Sequence, residues 1–169
     1  METMTKEELL ELYEAVKSSL AEIKGVKLAY AINKNMKKMR NEVEDIMKAS
    51  EPSKAYQDFD KLRVNLCVEH AVKDSSGQPV MVGPVNKQVY KIKDTEAFDA
   101  DSKALCDDHK EVLDERKAQM EEYKELLKEE VSIDFHKIKM EDVNDDSISV
   151  MQMEILLKFV KEEKELANA

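Results

Sequence analysis

Two short segments of the chain share a cysteine and a histidine at the same spacing. They read Cys67-Val-Glu-His70 and Cys106-Asp-Asp-His109, and they contain both cysteines and two of the three histidines. On a helix this spacing places both side chains on one face. If the two helices run antiparallel, Cys67 can lie beside His109 and His70 beside Cys106. Two thiolates and two imidazoles would then form a tetrahedral zinc site.

A structural interpretation of the same residues stays open, because buried cysteines often act as small apolar side chains. Apart from zinc in such a site, we expect no cofactor. The sequence contains no glycine-rich phosphate loop and no recognisable nucleophile with its base. His136 stands in a short alternating segment, where a single histidine is usually structural. We therefore expect a protein that is not an enzyme.

A basic stretch from Lys24 to Arg40 contains no acidic residue. Such a stretch can bind an anion, and Asn33 and Asn35 could add hydrogen-bond donors. Two alternatives remain: the charges form the solvated face of a helix, or they pair with an acidic helix elsewhere. The candidate anion-binding residues are Lys27, Lys34, Lys37, Lys38 and Arg40.

Acidic residues concentrate in the second half of the chain. Residues 94–130 contain fourteen acidic and six basic side chains, in a protein whose formal net charge is −10. This charge argues against uniform binding to nucleic-acid phosphates. A helical row of carboxylates can imitate a nucleic-acid backbone, although acidic surfaces also simply favour solubility. The candidate acidic interaction surface comprises Asp107, Asp108, Glu111, Asp114, Glu115, Glu121 and Glu122.

The elements that must position these residues are mainly helical. Apolar residues recur at alternating steps of three and four, which is the period of packed helices. The length of 169 residues favours a single domain. The predicted helices span about 5–24, 27–49, 53–73, 95–129 and 147–164, and segments 80–92 and 131–136 are predicted to form a small β element. Thr5, Asp94 or Thr95, and Ser147 are the expected caps of three of these helices.

We therefore predict a mainly α fold, an elongated bundle or coiled-coil arrangement with a small β element. The last helix is apolar on nearly every face, so it belongs either in the core or against another subunit. Long amphipathic helices with few loops favour a homo-oligomer. No apolar run approaches the length of a membrane span, so we expect no membrane contact. Two cysteines suit a reducing cytoplasm.

Three segments resemble a family of small phage and prophage proteins that is known only as a domain of unknown function. The first is the N-terminal helix pair, with YAINKNMKKM in its second helix. The second is the turn KDSSGQPV followed by YKIKDTEAF. The third is ELLKEEVSIDFHKIKMEDV leading to EILLKFVKEE. The resemblance implies a phage-encoded protein that acts in the cytoplasm of the infected bacterium.

Small accessory proteins of this kind commonly act by stoichiometric binding. We expect an antagonist of a host defence or nucleic-acid enzyme, acting by occlusion or by sequestering a small anionic ligand. One alternative is a morphogenesis chaperone whose apolar last helix holds a phage structural protein. Another is a metal-dependent regulator built on the cysteine and histidine quartet. The expected macromolecular partner is accordingly a host bacterial protein or a phage structural protein.

Overall fold

The computed structural model describes residues 1–20, 23–143 and 148–160. Contacts divide the chain into two compact units, unit 1 (Met1–Ser50 with Glu122–Ala169) and unit 2 (Glu51–Glu121). The prediction of a single domain stays a prediction. The described elements are β1 (Glu2–Thr5), α1 (Lys6–Ser19), α2 (Val26–Ala49), α3 (Lys54–His70), β2 (Met81–Val82), β3 (Val89–Tyr90), α4 (Thr95–Asp108), α5 (Lys110–Lys128), β4 (Glu130–Ile133), a 3-10 turn (Met140–Asp142) and α6 (Val150–Leu157). The predicted mainly α class with a small β element is confirmed.

Capping side chains set the starts of the helices. The Thr5 hydroxyl accepts from the backbone N–H of Glu8, whose carboxylate accepts from the N–H of Thr5. These bonds to Thr5 hold the pKa of Glu8 below its ordinary value. Asp94 caps α4. Helix α6 is capped by Ser149, in a reciprocal pair with Gln152, whereas the predicted cap Ser147 lies outside the described residues.

The first helix is shorter than predicted. Helix α1 ends at Ser19 rather than at residue 24. Gly25 does not end this helix but caps the start of α2. Its φ of 100° lies in a region that other residues rarely adopt, so a glycine suits this position. The predicted second helix, 27–49, agrees with α2 to within one residue.

Unit 2 contains two further departures from the predicted helices. Helix α3 ends at His70 rather than at residue 73, because the chain beyond it is extended and pairs with other extended backbone. The N–H of Val72 donates to the Lys91 carbonyl at 2.7 Å. The predicted helix 95–129 is interrupted at His109, whose ψ of 24° is not helical, and so forms α4 and α5.

Among the described residues, the four strands form two separate antiparallel pairs. Strands β2 and β3 form the hairpin predicted within 80–92. Strand β4, predicted at 131–136, pairs not with this hairpin but with β1, in a register that places Thr3 opposite Ser132. The sequence did not predict β1, because its four residues show no clear alternation of apolar and polar side chains.

The hydrophobic core of unit 1 is built from both ends of the chain. Leu9 and Val16 of α1 pack with Met39 of α2 and with Leu156 and Phe159 at the C-terminal end. The apolar last helix therefore contributes to a core, although Leu157 is 49% exposed. Helix α6 ends at Leu157, short of the predicted end at residue 164, and Val160 forms a β-bridge with Ile138. Residues 161–164 lie outside the described residues. Among the described residues, no helix is long and apolar enough to span a membrane.

Two adjacent leucines test this core. Leu156 is 0% exposed, whereas its neighbour Leu157 is half exposed. We expect Leu156→Ala to lower the free energy of unfolding by about 2–5 kcal/mol, because it removes buried methyl groups and leaves a cavity. The matched variant Leu157→Ala should change it by no more than about 0.5 kcal/mol. Urea denaturation measures both values. Equal losses in the two variants would contradict this packing.

Candidate functional site

The four residues of the predicted zinc site lie in unit 2, where α3 packs against α4. His70 Nε2 lies 3.0 Å from a carboxylate oxygen of Asp101, and the rings of His109 and Phe59 are 5.4 Å apart. These contacts make the two helices antiparallel, as the zinc hypothesis requires. Their register, however, differs by more than one helical turn from one in which His70 faces Cys106.

The structure therefore does not bring the quartet together. Cys67 and Cys106 are free thiols. In residues 1–20, 23–143 and 148–160, no group of three or more His, Cys, Asp or Glu side chains is placed to hold a metal ion.

The candidate acidic surface falls largely in unit 2. Its five members from Asp107 to Glu115 are exposed, and none forms an ion pair with a described residue. Asp58 and Asp60 of α3, by contrast, pair with basic side chains about one turn away. Glu121 also belongs to unit 2, whereas Glu122 belongs to unit 1. Asp107 to Glu115 thus place acidic side chains that have no ion pair within the described part of the chain across the α4–α5 break.

The candidate anion-binding residues of α2 do not act as one group. Lys38 Nζ lies 3.1 Å from the Asp134 carboxylate and also donates to the backbone carbonyl of Asp134. These bonds hold the pKa of Asp134 below its ordinary value. Lys37 and Arg40 are exposed and form no ion pair with a described residue. Lys38 is thus used to hold the segment after β4, and Lys37 and Arg40 face solvent.

A buried asparagine, one turn before Lys38 in α2, holds the same segment at His136. Asn35 is 0% exposed, although it stands in α2 among basic residues. Its Oδ1 accepts from the backbone N–H of His136 at 2.7 Å, and its Nδ2 donates to the His136 carbonyl at 3.0 Å. One amide side chain therefore satisfies both backbone groups of one residue. The Asn35 donor that the sequence suggested for an anion is already engaged.

The residue held in this way presents an aromatic pair. The rings of His136 and Tyr30 are perpendicular, with centroids 5.8 Å apart. Lys34, one helical turn beyond Tyr30, places its Nζ 5.7 Å from the Tyr30 centroid. Tyr30 is nevertheless 60% exposed. The result is a tyrosine ring, an imidazole and an ammonium group gathered on one side of α2.

Tyr30 and His136 line a cleft of about 470 Å³ in unit 1, and Lys34 lies beside it, against the Tyr30 ring. Its walls are the first turns of α2, from Val26 to Ala31, and the segment 136–142. Helix α2 begins here with no side-chain cap on Gly25 and no acidic residue in its first turn. No acidic residue of α2 itself therefore offsets the partial positive charge at this helix N-terminus, although Glu141 and Asp142 line the same cleft. The volume is within the range of small-molecule sites.

The charges of the cleft are only partly compensated. Lys27 lies 3.0 Å from Asp142, and Lys137 forms an ion pair with Glu2. Lys139 lines the cleft and forms no ion pair with a described residue, and neither does Lys34 beside it. Glu141, also at the cleft, is likewise unpaired. At and beside the cleft, the side chains without an ion pair to a described residue are thus two lysines, Lys139 and Lys34, and one carboxylate, Glu141.

Burial and the neighbouring lysines favour the neutral form of His136. Desolvation is the largest cause that lowers its pKa from 6.5, followed by the charges of Lys34 and Lys38. Its ring nitrogens make no hydrogen bond to a described residue. A neutral imidazole with one donor and one acceptor therefore faces the cleft.

Sequence reasoning did not identify Tyr30 as part of a site, and it treated His136 as structural. A usable signal was present in α2. Asn35 lies three residues after Ile32 and four before Met39, on the apolar stripe, and a polar side chain on a buried stripe requires a hydrogen-bond partner. The partner itself lies 101 positions along the chain, where local spacing has no predictive value.

No family model, no curated protein and no solved structure matches this chain. The description of the cleft accordingly rests on its own geometry.

The bonds between Asn35 and His136 can be tested by substitution. Asn35→Ala removes both partners of the His136 backbone, and each polar group left unsatisfied costs about 1–3 kcal/mol. We expect a loss of unfolding free energy of that order. Asn33→Ala is the matched control, because Asn33 is exposed on the same helix and should change stability by at most about 0.5 kcal/mol. Chemical denaturation distinguishes them, and similar values for both would contradict the buried role.

The environment of His136 leads to a prediction for proton NMR. Its pKa should lie below 6.5, and Lys34→Gln should raise the value by removing one positive charge. The value should stay below 6.5, since burial, the larger cause, remains. Arg40→Gln is the charge-matched control and should leave it unchanged. His136→Gln identifies the signal among three histidines.

The same shift has a consequence for stability. Because the folded protein binds this proton less readily than the unfolded chain, stability should fall as the pH drops from 6.5 through the lower folded pKa. A His136 pKa at or above 6.5 would contradict the assigned environment.

Proposed function

We propose that this chain is a non-enzymatic binding protein that holds a small anionic ligand in the cleft beside Tyr30 and His136. The observation that carries the proposal is a pair of ammonium groups without an ion pair to a described residue: Lys139 in the lining of the cleft, and Lys34 beside the cleft against the Tyr30 ring. The histidine of the same cleft is fixed by a buried asparagine. A site with fixed groups loses little conformational entropy on binding.

Electrostatics favours an anion over a cation at this position. Two carboxylates near the cleft, Asp142 and Glu2, are already paired with lysines. The unpaired carboxylate, Glu141, is opposed by Lys34, Lys139 and the uncapped N-terminus of α2. Charge-assisted hydrogen bonds from ammonium groups to phosphate or carboxylate oxygens are about twice as strong as neutral ones.

The absence of turnover is part of the proposal. In the described residues, the ring of His136 has no hydrogen bond to a carboxylate that would orient it and none to a nucleophile that it could activate. The histidine that does contact a carboxylate is His70, with Asp101, and Cys67 forms no hydrogen bond to it. Among the described residues, neither histidine thus belongs to a nucleophile–base pair of the kind used in covalent catalysis.

The biological setting is likewise proposed. Sequestration of a small anion by a phage-encoded protein in the cytoplasm of the infected bacterium would deprive a host defence enzyme of its ligand or product. The acidic surface from Asp107 to Glu115 supports a second function, occlusion of a basic nucleic-acid-binding surface on a host protein. The chaperone alternative has less support, because Leu156 and Phe159 are buried in the core of unit 1.

Inorganic pyrophosphate is the first probe for the cleft. We expect calorimetry to give one site per chain, with an affinity that weakens as salt is added. Lys34→Gln and Lys139→Gln should each weaken binding about tenfold, which corresponds to the loss of one charge-assisted contact worth about 1.4 kcal/mol. The pyrophosphate should remain unhydrolysed.

Arg40→Gln is the control for overall charge, since Arg40 is exposed on the same helix and outside the cleft. Its affinity should match that of the unmodified protein. Equal weakening by Arg40→Gln and Lys34→Gln would mean diffuse attraction instead of a site. No binding at millimolar pyrophosphate would remove the cleft as an anion site and leave the acidic surface as the better candidate.

A further inference from the structure

We infer that the anion held in this cleft is a nucleoside phosphate, with its base against the Tyr30 ring and its phosphate at Lys34 and Lys139. The inference rests on the proposed function of the cleft and specifies its ligand. Three features beyond the positive charge support it: the size of the cleft, the exposed aromatic ring and the free imidazole edge.

The cleft is larger than a simple inorganic anion needs. Sites of roughly 300–1,000 Å³ accommodate ligands of many heavy atoms, and this cleft of about 470 Å³ lies within that range. A single phosphate bound at Lys34 would leave most of the space between α2 and the segment 136–142 unfilled. A ligand that fills it must carry a further group of considerable size.

Tyr30 defines the chemistry of that further group. Its ring is 60% exposed at the cleft, whereas Leu28 and Ile32 of the same helix are buried in the core. The perpendicular contact with His136 and the proximity of Lys34 restrict the position of the ring. A fixed, exposed aromatic ring next to an ammonium group suits a planar ligand, because a base stacked on an aromatic side chain contributes about 1–3 kcal/mol.

His136 adds a polar edge to the same space. Its backbone is fixed by Asn35, and its ring nitrogens are not engaged by any described residue. A neutral imidazole can donate one hydrogen bond and accept another. Base edges and ribose hydroxyls offer the complementary acceptors and donors, whereas inorganic phosphate presents almost only acceptors.

The arrangement favours a single nucleotide over a nucleic-acid strand. A strand requires a continuous row of free cations along the surface. On this side of α2, Lys27 is paired with Asp142 and Lys38 with Asp134. Lys37 and Arg40 of α2 also form no ion pair with a described residue, but neither lines the cleft, so its walls carry no continuous row of free cations.

The test compares four probes on the full chain by calorimetry: inorganic phosphate, ribose 5-phosphate, adenosine 5′-monophosphate and a twelve-residue oligothymidylate. We expect adenosine monophosphate to bind about tenfold more tightly than ribose 5-phosphate. Tyr30→Leu should abolish this preference and leave ribose 5-phosphate binding unchanged. Tyr30→Phe, which keeps the ring, should retain the preference. Lys34→Gln should weaken all the small phosphates together.

The outcomes separate the two proposals. If phosphate and ribose 5-phosphate bind at the lysines but adenosine monophosphate binds no more tightly, the nucleoside assignment is wrong and the anion site stands. The assignment is also wrong if Tyr30→Leu weakens every probe equally, or if the oligothymidylate, at equal nucleotide concentration, binds more tightly than adenosine monophosphate. If none of the probes binds, the proposed function fails with it.

Discussion

The paired hydrogen bonds from Asn35 to the backbone of His136 are the constraint on which the cleft depends. Without them, the segment after β4 would have two unsatisfied backbone groups next to the core. With them, the histidine, the neighbouring Lys137 and the wall of the cleft have one position relative to α2. Lys38 reinforces the arrangement through its contact with Asp134, two residues before His136. A polar side chain at the centre of an apolar stripe thus determines where the chain places its aromatic and charged groups.

Local rules predicted most of the helical structure. The apolar stripe of α2 and the capping pair of Thr5 with Glu8 depend only on residues that are close in the sequence. Their geometry therefore follows from the helical period and from hydrogen bonding at the helix N-terminus. The errors lie where a distant segment decides the outcome. Strand β1 exists because β4 lies beside it. Helix α3 stops at His70 because the next residues find partners near Lys91.

The candidate site was less predictable than the fold. Lys27 and Lys34 are among the predicted anion-binding residues, which stays a prediction, whereas Tyr30, which lies between them in the sequence, was not singled out. The sequence also predicted that His70 faces Cys106, whereas His70 contacts Asp101, which lies five residues earlier in the same helix. A shift of five residues along a helix is more than one turn, and it changes both the height and the direction of the side chain. Interhelical register depends on how whole side-chain surfaces interlock, and two short motifs do not determine it.

The division of the chain into units also determines the order in which it can assemble. Unit 2 is one uninterrupted stretch, so all of its contacts are available as soon as residue 121 has been synthesised. The core of unit 1 is completed later, because the residues that pack with α1 and α2 include Ile133, Phe135 and Phe159, which are synthesised after unit 2. During synthesis, the apolar stripes of the first two helices are therefore exposed while unit 2 folds. The cleft is among the last features to form, and a truncated chain that ends before β4 contains Lys27, Tyr30 and Lys34 but neither Lys139 nor the wall formed by residues 136–142.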